Sequence, residues 1–119
     1  MIMGVGVDIV DIARFERALE RTPKLAERLF VESERELPTH SLAGRFAAKE
    51  ALIKAFGGSG SMTFHDMVVI KDQLGKPSFD LSGAAAQMAH ERGITSVHLS
   101  ISHDADAAVA FVVAEGGAA

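Results

Sequence analysis

The sequence predicts an α+β protein with a mainly antiparallel sheet packed by helices, and three observations lead there. Two pairs of β-branched segments, 67–71 with 78–81 and 96–103 with 107–115, are joined by short turns and read as hairpins. One further β-branched run, 3–10, opens the chain. The segments between them carry helical signals, and the order strand, helices, hairpin, helix, hairpin leaves few parallel crossovers.

Each element has a local reason. Asp11 follows the first strand and is placed to cap a helix running to about Arg21. Thr22-Pro23 reads as a second start, Thr at the N-cap and Pro at the first helical position, for a short helix or turn over 23–29. The polar stretch VESERELPTHS then ends at a new cap, Ser41. From Leu42 to Phe56 the chain is rich in alanine and free of glycine after Gly44, and Gly57-Gly58 stops the helix. The loop GGSGS precedes strand 67–71, the DQLGKP turn and strand 78–81. Ser82 caps a helix reaching about Arg92, closed by Gly93. The second hairpin turns at His103-Asp104-Ala105-Asp106 and ends in a Gly/Ala tail expected to fray. With 119 residues and neither repeat nor linker, residues 1–119 are expected to form one domain.

Composition narrows the function. At 48% hydrophobic and 24% charged residues the chain reads as a soluble globular protein. The absence of cysteine removes disulfide frameworks, thiolate zinc sites and thiol nucleophiles. MIMGVGV is too short for a signal segment and is followed at once by Asp8, and no stretch approaches the roughly 20 apolar residues of a membrane span. A cytoplasmic protein is expected, with neither membrane nor nucleic acid as partner. One small domain leaves little room for a deep cleft, so any cleft is shallow or shared between subunits.

The net charge is -4, unevenly spread: residues 57–119 hold three Lys/Arg against seven Asp/Glu, residues 1–56 nine of each. Arg14, Arg17, Arg21, Lys24 and Arg28 recur at the spacing of one helical stripe and would suit an acidic partner. The plainer alternative is a solvated face paired with Glu16, Glu20 and Glu27.

Three stretches carry candidate chemistry. In GVDIVDIARFE, Asp8 places a carboxylate inside an apolar run, where it needs a cation, a metal or amide hydrogens. In FAAKEALIKAFG, helical spacing puts Glu50 and Lys54 nearly in line with Phe46, and Arg45 and Lys49 on a neighbouring line, so three cations frame Glu50. A simple Glu50–Lys54 surface pair is the alternative. In SVHLSISHDADAA, His103 is the polar end of the stripe Val97, Leu99, Ile101, either functional or a hydrogen-bonded core histidine. Asp8 and Glu50 are hard oxygen donors suited to magnesium, and Arg45, Lys49, Lys54 and His103 are candidates to neutralise phosphates. Gly4-Val5-Gly6 lacks the third glycine of a dinucleotide fingerprint, and GGSGS lacks the Gly-Lys-Ser/Thr of a phosphate loop. The histidines show no zinc spacing.

GVDIVDIARFE, GRFAAKEALIKAFG, the GKP turn at 75–77 and HLSISHDADAAVAFVV, in that order over essentially the whole chain, resemble the holo-[acyl-carrier-protein] synthases, small 4'-phosphopantetheinyl transferases of fatty-acid synthesis. The resemblance implies the transferase-like fold and transfer of 4'-phosphopantetheine from coenzyme A to a serine of apo-acyl carrier protein, with magnesium as cofactor and adenosine 3',5'-bisphosphate as by-product. It further implies a homotrimer with active sites between subunits. Carried over motif by motif, Asp8 and Glu50 are the magnesium ligands, and Arg45, Lys54 and His103 contact coenzyme A phosphates. Gly58 and Gly60 of the loop and Lys76 and Pro77 of the turn lie along the nucleotide, and Arg14, Arg17, Arg21, Lys24 and Arg28 meet the acidic carrier. Glu50, Lys54 and His103 are the catalytic candidates, with the general base open between Glu50, a metal-bound water and His103. Two departures stand out: Val31 replaces the threonine of a Phe-Thr-x-x-Glu pattern, and His65 stands before Asp66 where the family tends to carry an aromatic residue. A non-catalytic magnesium-dependent binder of nucleotides or acidic proteins, and a nucleotide hydrolase, are the competing readings.

Overall fold

Helix α4 (Thr39–Ala55) lies across one face of a three-stranded antiparallel sheet ordered β1 (Ile2–Asp11), β5 (Ala107–Gly116), β4 (Ile94–Asp104). The computed structural model describes residues 1–117 of the chain, so the end of the Gly/Ala tail lies outside the described residues. The approach of α4 to the sheet is possible because both surfaces are built from small residues. Ala108, Ala110 and Ala114 of β5 and Ala43, Ala47, Ala48 and Ala51 of α4 are fully buried. On β1, a Cβ added at Gly6 would run into the Ala51 carbonyl, and one at Gly4 into that of Ala55, so only glycine admits the helix there. Larger side chains fill the flanks: Phe15, Leu29, Phe30, Leu42, Leu52, Phe56 and Val112 complete the core.

A second, two-stranded antiparallel sheet is formed by β2 (Met67–Lys71) and β3 (Pro77–Leu81), with Lys71 opposite Pro77 across the turn. The α+β class and the antiparallel pairing of both predicted hairpins are therefore observed. Helices α1 (Ile12–Arg21), α2 (Leu25–Leu29), α3 (Glu32–Arg35) and α5 (Gly83–Glu91) pack around the edges.

The caps separate what local sequence decides from what it does not. Asp11 caps α1 as expected, its Oδ1 accepting from the Arg14 N–H at 2.9 Å. Thr22 does not start a helix. It closes α1, donating its N–H to the Ala18 carbonyl at 3.0 Å, while its own carbonyl accepts from Leu25, so α2 begins two residues later than the Thr-Pro signal implies. Ser41 is likewise inside α4 instead of at its cap, because the carbonyl of the extended Pro38 already accepts from Ser41 and Leu42, both at 3.0 Å. Ser82 precedes α5 as expected but makes no side-chain capping bond. Helix α3 and the 3₁₀ turn Phe64–Asp66 were concealed in polar loops of the sequence. At the threonine-to-valine departure, Val31 offers no side-chain acceptor, and the Glu34 Oε1 instead receives the Val31 N–H at 3.2 Å.

Candidate active site

Alternation along β1 places Asp8 on the same face as Gly4 and Gly6, the face that meets α4. The Lys54 Nζ reaches across to donate to the Asp8 Oδ1 at 3.2 Å and to the Val7 carbonyl at 2.9 Å. The Asp8 side chain is 19% exposed and that of Lys54 55%, so the pair stands at the rim of the helix–sheet junction. Glu50 lies one turn before Lys54 on α4. Its carboxyl is held above the ordinary range, first by burial and then by the Asp8 carboxylate, with Lys54 pulling the other way. Asp8, Glu50 and Lys54 thus form one cluster, contributed by β1 and α4. Lys54 turns to Asp8, and among the described residues it makes no ion pair with Glu50.

The expected frame of three cations around Glu50 is incorrect. Lys49 points the opposite way, with no exposure, and donates to the Glu34 Oε1 at 2.7 Å, the Leu29 carbonyl at 2.8 Å and the Phe64 carbonyl at 3.2 Å. It stands 5.0 Å from the Phe30 ring centroid. Burial lowers its pKa, while the hydrogen bond and charge of Glu34 oppose that shift and Arg45 adds to it. Glu34 itself is 2% exposed and also receives the Val69 N–H at 3.1 Å, so this ion pair clamps α2, α3, α4 and β2 together. Lys49 is a structural residue, leaving no side-chain donor for a phosphate. The role of Glu34 had no local signal, because its partner lies 15 residues away.

Arg45 is also largely buried, near Glu34, and burial lowers its pKa against the opposing effect of that carboxylate. Its Nε is buried without a hydrogen-bond partner. His103 ends an apolar stripe as expected, but in this chain it is apart from Asp8. Its Nε2 lies 2.9 Å from the His40 carbonyl, and the ring covers Gly44, six residues or roughly 9 Å along α4 from Glu50.

Gly57 and Gly58 adopt positive φ, 81° and 143°, and their N–H groups return to the Lys54 and Ile53 carbonyls as a helix stop. Gly60 also has positive φ, 52°, and faces the Met88 methyl. Lys76 and Pro77 sit at the exposed end of the β2–β3 hairpin, where the Lys76 N–H donates to the Asp72 Oδ1 at 2.9 Å. The basic stripe is split by the helix break at Thr22: Arg14, Arg17 and Arg21 are on α1, Lys24 precedes α2 and Arg28 lies on it, all exposed.

A groove of about 370 Å³ connects cluster and stripe, with Asp8 and Glu50 at one end and Arg14 along its side. Its floor is Phe15 stacked on Phe46 at 5.2 Å between centroids. These two aromatics were absent from the sequence-derived site, although Phe46 is one helical turn before Glu50.

The chain is similar to known proteins along nearly its whole length. The family model of the 4'-phosphopantetheinyl transferase superfamily matches residues 4–112. The chain is 61% identical over 116 residues to the holo-[acyl-carrier-protein] synthase of Clavibacter sepedonicus, covering 98% of both chains. It is 57% identical over 115 residues to that of Leifsonia xyli subsp. xyli, covering 97% of this chain and 98% of the relative. Among solved structures, the Neisseria meningitidis synthase superposes with a TM-score of 0.90 at 39% identity, covering 97% of this chain and 99% of that one. The Helicobacter pylori synthase, crystallised with coenzyme A, superposes at 0.83 and 37% identity, covering 93% and 99%.

Proposed function

Because the chain belongs to the 4'-phosphopantetheinyl transferase superfamily, we propose that it transfers 4'-phosphopantetheine from coenzyme A to a serine hydroxyl of an apo-acyl carrier protein in cytoplasmic fatty-acid synthesis. The observation that carries this reading is the Asp8–Glu50–Lys54 cluster at the end of a groove that leads to Arg14. Similarity to named synthases along nearly the full chain favours transfer over both a non-catalytic binder and a hydrolase.

Two carboxylates, one of them made more basic first by burial and then by the other, are a donor set that welcomes a divalent cation. Magnesium is usually held by one or two carboxylates, with substrate phosphates completing its shell. Asp8 and Glu50 would hold the ion, which when bound supplies charge neutralisation on the phosphates. The chain's own residues do the rest. Lys54, fixed by Asp8 and the Val7 carbonyl, is placed to stabilise negative charge on the leaving phosphate. Glu50, at the end of the groove that leads past Arg14, is one acceptor for the serine proton, beside a water held at the ion and His103. Arg45, buried with its Nε unpartnered, would have to turn out of the core to reach a phosphate oxygen. The exposed arginines of α1 attract an acidic carrier and set its rate of encounter.

The distance of His103 from this cluster fits a shared site. The sheet face away from α4 presents Val5, Val7 and Ile9, 54%, 53% and 68% exposed, with Val7 opposite the 45% exposed Phe111. We read this continuous apolar face as the contact of a homotrimer, in which a neighbour's His103 completes each site. The test is to mix the protein with coenzyme A, magnesium and apo-carrier, and weigh the carrier by mass spectrometry. The carrier should gain one phosphopantetheine, and its remaining apo across a panel of carriers would exclude the function. Solution mass by light scattering should give three chains, and a monomer would remove the shared-site reading.

A further inference from the structure

Helix α2 carries two of the five stripe cations, Lys24 at its start and Arg28 within it, yet it has little of its own to hold it in place. So short a helix is not stable alone in water, Lys24 makes no side-chain capping bond, and Leu29 is the one buried residue. The last carbonyls of a helix have no partner within it. Here basic side chains from three other elements take them. The Glu27 carbonyl lies 2.6 Å from the Nε2 of His65 in the 3₁₀ turn, the Leu29 carbonyl accepts from the Lys49 Nζ of α4 at 2.8 Å, and the Phe30 carbonyl accepts from the Arg35 Nη1 of α3 at 2.9 Å.

Lys49 and Arg35 hold only the final residue of α2 and its cap. Lys49 also closes the buried pair with Glu34. His65 is different: it is exposed, makes no other hydrogen bond among the described residues, and has no part in the chemistry of the cluster. A carbonyl oxygen can only accept, so the His65 ring carries a proton on Nε2. Its bond grips α2 at Glu27, on the other side of Arg28 from Leu29. One point of attachment leaves a short helix free to swing about it, whereas two fix its direction. The 3₁₀ turn is itself anchored to the groove: Phe64 stands 6.2 Å from Phe46 between ring centroids, and its carbonyl accepts from Lys49 at 3.2 Å. His65 therefore holds α2 against the same elements that carry Glu50 and the groove floor.

We propose that His65 is a positioning residue for carrier recognition: its Nε2–H bond to the Glu27 carbonyl fixes where Lys24 and Arg28 stand relative to Arg14, Arg17 and Arg21. The five cations then meet one acidic surface together. This rests on the transferase reading, from which the carrier comes, and it adds a residue that touches neither substrate.

Without the bond the carrier itself must bring α2 back into place, so its binding weakens by no more than the bond contributes. The ceiling is about fivefold, which converts to about 1 kcal/mol, the net worth of one hydrogen bond. His65→Phe keeps a ring and loses the donor, whereas the amide of His65→Gln offers an N–H at a similar reach. In the transfer assay at low salt, His65→Phe should raise the carrier's KM about fivefold and leave kcat and the KM for coenzyme A within twofold. His65→Gln should bring the carrier's KM back to within twofold of wild type. An unchanged carrier KM in His65→Phe, an equal rise in both KM values, or no recovery in His65→Gln would overturn the proposal. Two readouts need no turnover. Nitrogen NMR of the wild type should find the neutral His65 ring protonated at Nε2, and the Nδ1 tautomer would refute the bond. Fluorescence anisotropy of a labelled apo-carrier should show the same loss of affinity in His65→Phe. If that loss appears while the wild type transfers nothing, the transferase reading fails and the role of His65 stands; if the wild type transfers and the loss is absent, the role of His65 fails alone.

Discussion

Gly6→Ala tests whether the close approach of β1 to α4 is what builds the cluster. The added Cβ overlaps the Ala51 carbonyl oxygen, and the next atoms, the Ala51 carbonyl carbon and the Ala55 nitrogen, are only 2.9 Å away. Ordinary contact begins at 3.4 Å, so strand and helix must separate by at least 0.5 Å, and by more along the carbonyl direction. The neighbours are backbone atoms and cannot rotate away. Overpacking of this kind costs about 3 kcal/mol, the upper end of the usual range. For a chain of this size that corresponds to a fall in Tm of roughly 12 °C. Catalysis should suffer separately, because Asp8 rides on β1 and Glu50 and Lys54 on α4. The 2.9 Å and 3.2 Å bonds from Lys54 must stretch or break, and misplacement on the order of 1 Å costs about a hundredfold in kcat. Thermal unfolding by circular dichroism, with transfer rates taken roughly 20 °C below the variant's own Tm, where the folded state dominates, keeps the effects apart. Gly117→Ala, where a Cβ meets nothing within 4 Å, is the control. If Gly6→Ala lost less than about 1 kcal/mol and kept kcat within twofold, the argument that glycine sets the spacing would be wrong.

Further outcomes follow from the same geometry. Lys49→Met leaves the buried Glu34 without its cation and should cost about 3–5 kcal/mol in urea unfolding. In Glu34→Gln the single amide oxygen can accept from only one of the Val31 and Val69 N–H groups, the NH2 then faces the other, and Lys49 is left without its anion. The cost should be comparable, and a loss below about 1 kcal/mol would contradict the assigned hydrogen bonds. In metal-free buffer the raised pKa of Glu50 means that the folded state binds its proton more tightly than the unfolded chain. Stability therefore falls as pH rises from the ordinary 4.5 through the raised value, and Glu50→Gln should melt higher than wild type at neutral pH but lose that advantage near 4.5. A Tm difference independent of pH would refute the cause given for the shift. Magnesium should raise the Tm of wild type and not of Glu50→Gln, as expected if Glu50 is a ligand. Reversing Arg14 and Arg21 to Glu should raise the carrier's KM at low salt and leave that of coenzyme A unchanged, and equal changes would remove the docking role of α1.

The strands, both hairpins, the Asp11 cap and the body and glycine stop of α4 were legible in the sequence because each depends on neighbours a few residues apart. The helix starts at Thr22 and Ser41 were misread for the same reason. A cap signal is local, but here another carbonyl, that of Pro38, or a closing turn at Thr22, had already satisfied the first N–H groups. Asp8 and Glu50 were recognisable as charges in apolar surroundings, although their partners were not. Lys54 reaches Asp8 over 46 residues, and Lys49 reaches Glu34 over 15.

The division of labour on α4 shows why. Its apolar residues are mostly alanines on nearly every side, so no amphipathic stripe in the sequence says which way the helix faces. Arg45, Lys49, Glu50 and Lys54 were therefore equally plausible around one site. Only the docking of Ala51 and Ala55 against Gly4 and Gly6 settles the rotation, and it turns Lys49 into the core while leaving Glu50 and Lys54 beside Asp8. Residue types and their order determined the class of chemistry. The choice of which charges hold the fold together and which face the substrate belongs to tertiary packing, because it depends on the backbone contact between one glycine strand and one alanine helix.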